Sequence, residues 1–245
     1  MTQVEAPTYT ADEMMAVAAA RRLRDGTVCF VGIGLPSQAA NLARVTHAPE
    51  CVLIYESGTI GAKPVNLPLS IGDGELAETA DAVVSVPEIF GYWLQGGRID
   101  VGFLGAAQID RYGNLNSTVI GEYRHPKVRL PGAGGAPEIA AWCRETFVML
   151  RHTPRAFVGQ LDFRTTGGAG VTCVVTDLGI LEPRTDGELE LTELHRGVTV
   201  EQTLEATGWQ LRVSPDLRRG APPQPEELQA LRALTPANDD LEGRP

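Results

Sequence analysis

The sequence has few of the features that mark extracellular, membrane-spanning or metal-binding proteins. Only four of its 245 residues are cysteine, with no C-x-x-C pair. Most of them lie in apolar, β-branched surroundings, which favours reduced, buried thiols over a disulfide framework or a zinc site. No stretch approaches the about 18 apolar residues of a membrane span, and the N-terminus lacks a basic or apolar leader segment. We therefore expect a cytoplasmic protein that does not associate with membranes.

Positive charge and histidine are also scarce. Lysine and arginine total 21 against 31 acidic residues, which gives a net charge of −10. Because nucleic-acid binding requires clustered cations that neutralise phosphates, no nucleic-acid partner is expected. The four histidines have neither metal-ligand spacing nor an adjacent nucleophile, so no metal site is predicted. The chain is instead rich in apolar residues, at 43%, which is typical of a globular protein with a large core.

The order of apolar runs and turn residues predicts an α/β fold. Thr10 and Glu13 form a capping-box pattern at the start of a first helix. A strand then leads through glycines into a second helix, which Ser37 is expected to cap, and strands and helices continue to alternate. This order predicts a mostly parallel sheet with helices on both faces. We predict one domain over residues 1–214 and a proline-rich, acidic tail over 215–245, with one short helix near 226–234.

Two glycine-rich turns follow predicted strands. Gly32 and Gly34 in "VGIGLP" lack the third glycine of the dinucleotide-binding pattern, so a turn near a ligand and a simple strand-to-helix connection are both open. Gly132, Gly134 and Gly135 in "LPGAGGAPEI" lie between a strand and a helix. Their backbone N–H groups could face a phosphate, or an oxyanion that develops on a carbonyl. A flexible connection without a ligand is the alternative.

A third segment, "GAAQIDRYGNLNST", places polar side chains after a hydrophobic strand. It contains Gln108, Asp110, Asn114 and Asn116. The carboxyl end of a sheet strand is where open α/β folds bind ligands. Local turns formed by Asp and Asn, without any ligand, explain the same residues equally well.

The most informative segment is "VLIYESGTIG", in which a buried strand ends at an acid. Glu56 is followed at once by Ser57 and Gly58. In isolation the acid is explained as a charge at a strand boundary. A carboxylate at the C-terminal edge of a parallel sheet is also placed where catalytic groups occur, and Gly58 would let a substrate approach closely. A carboxylate that attacks an activated acyl group forms an anhydride, which keeps the acyl group activated for transfer.

Five segments of the chain resemble, in order, the β-type subunits of family I CoA-transferases, in the branch that includes glutaconate CoA-transferase. They are "GIGLP", "ESGTIG", "LGAAQIDRYGNLN", "LPGAGGAPEI" and "HRGVTVEQTLEATGW", and the resemblance runs from about residue 14 to 213. It implies a CoA-transferase-type α/β fold and an α subunit on a separate chain, in a heterodimer or an α2β2 heterotetramer. Coenzyme A would be a substrate, and no cofactor is implied.

The resemblance also implies roles for individual residues. Glu56 would be the nucleophile, forming first a mixed anhydride and then a glutamyl-CoA thioester. The backbone amides of Gly132, Gly134 and Gly135 would stabilise the oxyanion or contact CoA. The other candidates for the substrate cleft are Gly32, Gly34, Ser57, Gly58, Gln108 and Asn116.

The residue after Glu56 indicates which branch of the family the chain resembles. Many relatives that act on 3-oxoacids have Asn where this chain has Ser57, so the serine favours the glutaconate-like branch. That branch also contains decarboxylases and hydrolases that have lost the nucleophilic glutamate. Acyl-CoA hydrolysis or decarboxylation on the same scaffold is therefore the alternative function.

Overall fold

The structure is a computed structural model in which residues 9–234 are described. Its strands are β1 (Val28–Val31), β2 (Val52–Tyr55), β3 (Thr59–Ile60), β4 (Ala82–Val83), β5 (Val101–Leu104), β6 (Gln108–Ile109), β7 (Leu115–Asn116), β8 (Val119–Gly121), β9 (Pro126–Arg129), β10 (Glu145–Met149), β11 (Val171–Val175), β12 (Gly179–Pro183), β13 (Leu189–Leu194) and β14 (Arg212–Arg219). The helices are α1 (Ala11–Ala20), α2 (Leu35–Val45), α3 (Gly74–Glu78), α4 (Val86–Glu88), α5 (Ala136–Trp142), α6 (Val200–Glu205) and α7 (Pro225–Leu234), with a π-helix at Ile89–Leu94.

Ten strands form one large sheet, in the order β14-β13-β12-β11-β10-β5-β1-β2-β3-β4. The five central strands, from β11 to β2, are all parallel, and antiparallel strands extend the sheet on both sides. Two short antiparallel pairs, β6–β7 and β8–β9, lie outside this sheet. The predicted α/β fold with a mostly parallel sheet is confirmed.

The central strands are buried on both faces because their apolar residues alternate between two cores. Cys29 and Leu53 point toward α1 and α2, whereas Phe30 and Ile54 point toward the π-helix and α5. Continuous apolar runs are what such doubly covered parallel strands require. All four cysteines are buried and unpaired, as their surroundings predicted. Within residues 9–234, no helix combines the length and apolar content needed to cross a membrane.

Local sequence explains where the first two helices begin. The predicted capping box is confirmed, with Thr10 and Glu13 each accepting the other's backbone N–H. The second helix differs from the prediction, since it begins at Leu35 with Gly34 as its N-cap. Ser37 is not the cap, because Gly34 at φ 82° and the proline that follows Leu35 start the helix earlier. The Ser37 hydroxyl instead lies 3.0 Å from that of Tyr55.

Residues 215–234 pack against the rest of the chain. The predicted boundary at residue 215 falls inside β14, which pairs in parallel with β13 up to Arg219. The predicted short helix is confirmed as α7, whose Leu228, Leu231 and Leu234 are buried. The Arg21 guanidinium anchors it through an ion pair of 2.6 Å with Glu227. Three apolar side chains on one helical face account for this packing, and residues 235–245 lie outside the described residues.

Candidate active site

The carboxyl ends of four parallel strands meet at one cavity of about 550 Å³. Gly32 follows β1, Glu56 follows β2, Gly105 follows β5, and Met149 is the last residue of β10. The glycine loop, defined here as residues 131–135, lines the same cavity. This edge is where open α/β sheets bind their ligands. The structure therefore brings Glu56, Gly32 and the predicted glycine loop together.

The Glu56 carboxylate lies directly against Gly135. A Cβ atom built on Gly135 would lie 3.0 Å from Glu56 Oε1 and 2.8 Å from Phe90 Cζ. Only glycine at this position leaves both groups where they are. Among the described residues, none donates a hydrogen bond to the Glu56 carboxylate or forms an ion pair with it. A partly exposed carboxylate without a structural partner is available for chemistry.

The glycine loop, which lines the same cavity, contains backbone amides without acceptors. Gly132 N–H donates to the Ser117 carbonyl at 2.9 Å, and the Ser117 hydroxyl donates to the Gly132 carbonyl at 2.8 Å. These bonds fix the start of the loop. The next three amides, of residues 133–135, have no acceptor within residues 9–234. Consecutive unpaired N–H groups in a turn can bind an anion, and the middle residue of the three, Gly134, has a positive φ of 50°.

The sequence did not indicate that the ring of Phe90 lies against Gly135, beside the cavity. Phe90 lies in the π-helix, where the Gln95 N–H donates to its carbonyl at 2.8 Å, and its ring meets Phe30 edge-on at 5.9 Å. Such wider helical turns are frequent at functional sites. No local sequence signal distinguishes the wider turn from an ordinary α-helix.

Three predicted cleft residues lie beside the cavity rather than on its lining. Gly34 is the N-cap of α2, between two lining residues. The Ser57 hydroxyl is buried without a hydrogen-bond partner in the described chain. Gly58, at φ 111°, is pressed against the Val84 carbonyl, and the Val84 N–H donates to the Gly58 carbonyl at 2.9 Å. Gly58 therefore makes room for another segment of the chain, whereas the sequence suggested that it makes room for a substrate.

Gln108 and Asn116 lie on the β6–β7 pair, away from the cavity lining. The Asn116 side-chain amide donates to Gln108 Oε1 at 2.7 Å, and Gln108 in turn donates to Asp162 at 3.1 Å. The neighbouring Asp110 carboxylate accepts from the backbone at 2.9 and 3.0 Å, forming a local turn. The turn interpretation of this segment therefore fits the geometry better than a ligand site.

Buried polar contacts fix the end of β2, which carries Glu56. The Tyr55 hydroxyl lies 3.0 Å from that of Ser37 and accepts from the Asn41 amide at 3.1 Å, so it ties β2 to α2. Burial raises the pKa of Tyr55, which keeps its hydroxyl protonated and able to donate. Networks of this kind hold a strand end in one position.

Comparisons with known proteins agree with this geometry. The family model for coenzyme A transferase matches residues 12–206. The chain is 59% identical over 242 residues to the B subunit of 3-oxoadipate CoA-transferase from Pseudomonas knackmussii, covering 92% of this chain and 93% of that protein. It is 35% identical over 245 residues to the B subunit of glutaconate CoA-transferase from Acidaminococcus fermentans, covering 91% of each.

Solved structures give the same result for the fold. The crystal structure of the Acidaminococcus fermentans glutaconate CoA-transferase superimposes with a TM-score of 0.88, at 33% identity, over 95% of this chain and 97% of that one. The decarboxylase AibA/AibB superimposes with a TM-score of 0.85, at 28% identity, over 92% and 95%. The predicted resemblance is confirmed, and the chain belongs to the coenzyme A transferase family.

Proposed function

We propose that this chain is the β-type subunit of a heteromeric CoA-transferase in which Glu56 is the nucleophile. One observation carries the proposal. A carboxylate without a structural partner lies against a loop that carries three unpaired backbone amides, and both line the same cavity. Nucleophile and oxyanion donors are the two components that acyl transfer requires.

The proposed reaction begins when Glu56 attacks the thioester carbonyl of the donor acyl-CoA. The oxyanion that forms accepts hydrogen bonds from the amides of residues 133–135, and its collapse breaks the C–S bond. CoA leaves as the thiolate, which then attacks the glutamyl carbonyl of the anhydride. This step releases the donor carboxylate and leaves a glutamyl-CoA thioester. The acceptor carboxylate takes CoA by the same steps in reverse, so CoA is the carried substrate and no cofactor is needed.

Trapping tests the assignment of Glu56. The assembled enzyme is incubated with acyl-CoA, treated with hydroxylamine, and digested for mass spectrometry. We expect a hydroxamate on Glu56 and none on Glu50, which is exposed and serves as the internal control. Glu56→Gln should give no adduct. An unmodified Glu56 during rapid turnover would end the nucleophile proposal.

The substrate pair is proposed from the relative of highest identity reported above. We propose 3-oxoadipate as the first acceptor to test and glutaconate as the second, each with succinyl-CoA and acetyl-CoA as donors. The measurement is kcat/KM for each pair with the assembled enzyme. A higher value for glutaconate than for 3-oxoadipate would contradict this order.

The α subunit is proposed to cover an apolar surface beside the cavity. Half of the exposed large apolar side chains in the described residues lie between 65 and 92. This surface consists of Val65, Leu69, Ile71, Val83, Val86 and Tyr92. It includes β4, the edge strand of the large sheet, and an exposed apolar edge normally pairs with or packs against another chain. Gly58, which lies two residues after Glu56, contacts Val84, and Val84 lies between Val83 and Val86 of this surface.

Charge placed on this surface should prevent assembly. Tyr92→Asp is compared with Tyr112→Asp, since the two tyrosines are 53% and 52% exposed. We expect only the first variant to lose co-purification with the α subunit, and light scattering of the native complex then gives its stoichiometry. Equal co-purification of both variants would place the interface elsewhere.

Decarboxylation or hydrolysis is the second candidate, because the superposition on a decarboxylase is nearly as close as that on the transferase. Glu56 would then act as a general base. Release of CO2 or of free CoA without any acceptor, at the rate of the full reaction, would favour this function over transfer.

A further inference from the structure

The hairpin formed by β8 and β9 carries exposed positive charge on an acidic protein. All residues from 122 to 129 are exposed. Arg124, Lys127 and Arg129 form no ion pair with the described residues, and Glu122 is the only acid in this segment. The segment therefore has a net charge of about +2, with His neutral, on a chain whose total is −10. Uncompensated cations in a negative field attract anionic ligands.

The base of this hairpin is continuous with the glycine loop. The Leu130 N–H donates to the Thr118 carbonyl at 3.1 Å, and the paired bonds between Ser117 and Gly132 follow directly. Only two residues lie between Arg129 and Gly132, so their Cα atoms are at most about 10 Å apart along the extended chain. The hairpin therefore projects from the rim of the cavity that contains Glu56.

Aromatic packing and a hydrogen bond hold the hairpin in place. Tyr123 stacks on Phe163 with ring centroids 5.2 Å apart, and the Arg129 guanidinium lies 5.1 Å from the Tyr123 ring. The Gly121 N–H donates to the Asp162 carboxylate at 3.1 Å. Asp162 is engaged there and by Gln108, so this neighbouring acid is already hydrogen-bonded. The cations are carried by an anchored hairpin, not by a loose loop.

We propose that Arg124 and Lys127 bind the phosphate groups of coenzyme A while its thioester lies at Glu56. This inference rests on the proposed function. CoA carries a pyrophosphate and a 3′-phosphate, and its pantetheine arm separates them from the sulfur. Its cationic contacts must therefore lie away from the reacting carbon but on the rim of the same cavity. A strongly anionic protein needs local cations to bind such a polyanion.

The test compares two thioesters that differ only in whether they carry the phosphate-bearing nucleotide of CoA. The assembled enzyme is assayed with acyl-CoA and with the corresponding acyl-pantetheine, which lacks it. For Arg124→Glu and for Lys127→Glu, we expect the KM for acyl-CoA to rise about tenfold or more, as for the loss of one charge-assisted contact. The kcat at saturation and the KM for acyl-pantetheine should stay unchanged. The control is Arg24→Glu. Arg24 is exposed and precedes the N-terminal end of β1, whereas the cavity lies at the carboxyl ends of the strands.

Three results would overturn this proposal. They are equal KM changes for both thioesters, an unchanged KM for acyl-CoA, and loss of the α subunit on purification, which would make the hairpin a subunit contact. Calorimetric binding of CoA and of pantetheine to the same variants separates this proposal from the transferase proposal. A weaker affinity for CoA alone would support the phosphate site even in an enzyme without transferase turnover.

Discussion

Gly135→Ala tests the contact between the glycine loop and the carboxylate. The backbone of Gly135 has φ −82° and ψ 0°, which alanine adopts without strain. The added methyl group would lie 3.0 Å from Glu56 Oε1 and 2.8 Å from Phe90 Cζ. Both groups must therefore move while the backbone stays in place. The variant should change activity more than it changes stability.

The size of the effect follows from these distances. Ordinary carbon–oxygen contact needs the carboxylate to retreat by roughly half an ångström, and a misplacement of ~1 Å can cost about a hundredfold in rate. We therefore expect kcat to fall about tenfold. Because the backbone of Gly135 accepts alanine and only two side chains have to shift, the melting temperature should change little.

Two further glycine variants separate this contact from backbone strain. Gly134 has φ 50° and Gly187 has φ 81°, and a Cβ at either would meet no atom within 4 Å. Alanine at both should cost about 1 kcal/mol of stability, but only Gly134→Ala should also lower kcat. The assays are steady-state turnover and thermal unfolding of the assembled enzyme. Full turnover in Gly135→Ala, or losses in all three variants that simply follow stability, would refute the proposed contact with Glu56.

Four other variants test the nucleophile, the pH dependence and the C-terminal packing. Glu56→Ala should abolish transfer without lowering the melting temperature, and Glu56→Asp, one methylene shorter, should lose about a hundredfold in kcat. Burial lowers the pKa of His152 from its ordinary value of 6.5 to about 4. Between these pH values the unfolded chain binds a proton at His152 that the folded chain does not bind. The free energy of unfolding should therefore fall by up to about 3 kcal/mol as the pH is lowered from ~6.5 to ~4, which urea titrations can measure. The His152→Gln variant should show a weaker dependence on pH. Leu231 lies on α7 and is 2% exposed. Its substitution by Ala should lower the free energy of unfolding by about 2–5 kcal/mol. A loss below about 0.5 kcal/mol would instead identify residues 215–234 as peripheral.

The sequence predicted those features that depend on neighbouring residues. Apolar runs predicted the central parallel strands, and the capping box at Thr10 predicted the start of α1, since each pattern acts within a few residues. The position of Glu56 at a strand end was predictable for the same reason. The packing of α7 was not, because it depends on Arg21 and on apolar groups from distant parts of the chain.

Two glycines close to Glu56 show this limit most clearly. In sequence, Gly58 and Gly135 look alike, since each follows a polar or small residue in a turn where a substrate could approach. In the structure, Gly58 accommodates the Val84 carbonyl, whereas Gly135 accommodates the Glu56 carboxylate and the ring of Phe90. The partner that requires each glycine lies far away along the chain. A glycine in such a turn therefore indicates that another group lies close to its backbone. Only the fold shows whether that group is backbone, as at Gly58, or the acid itself, as at Gly135.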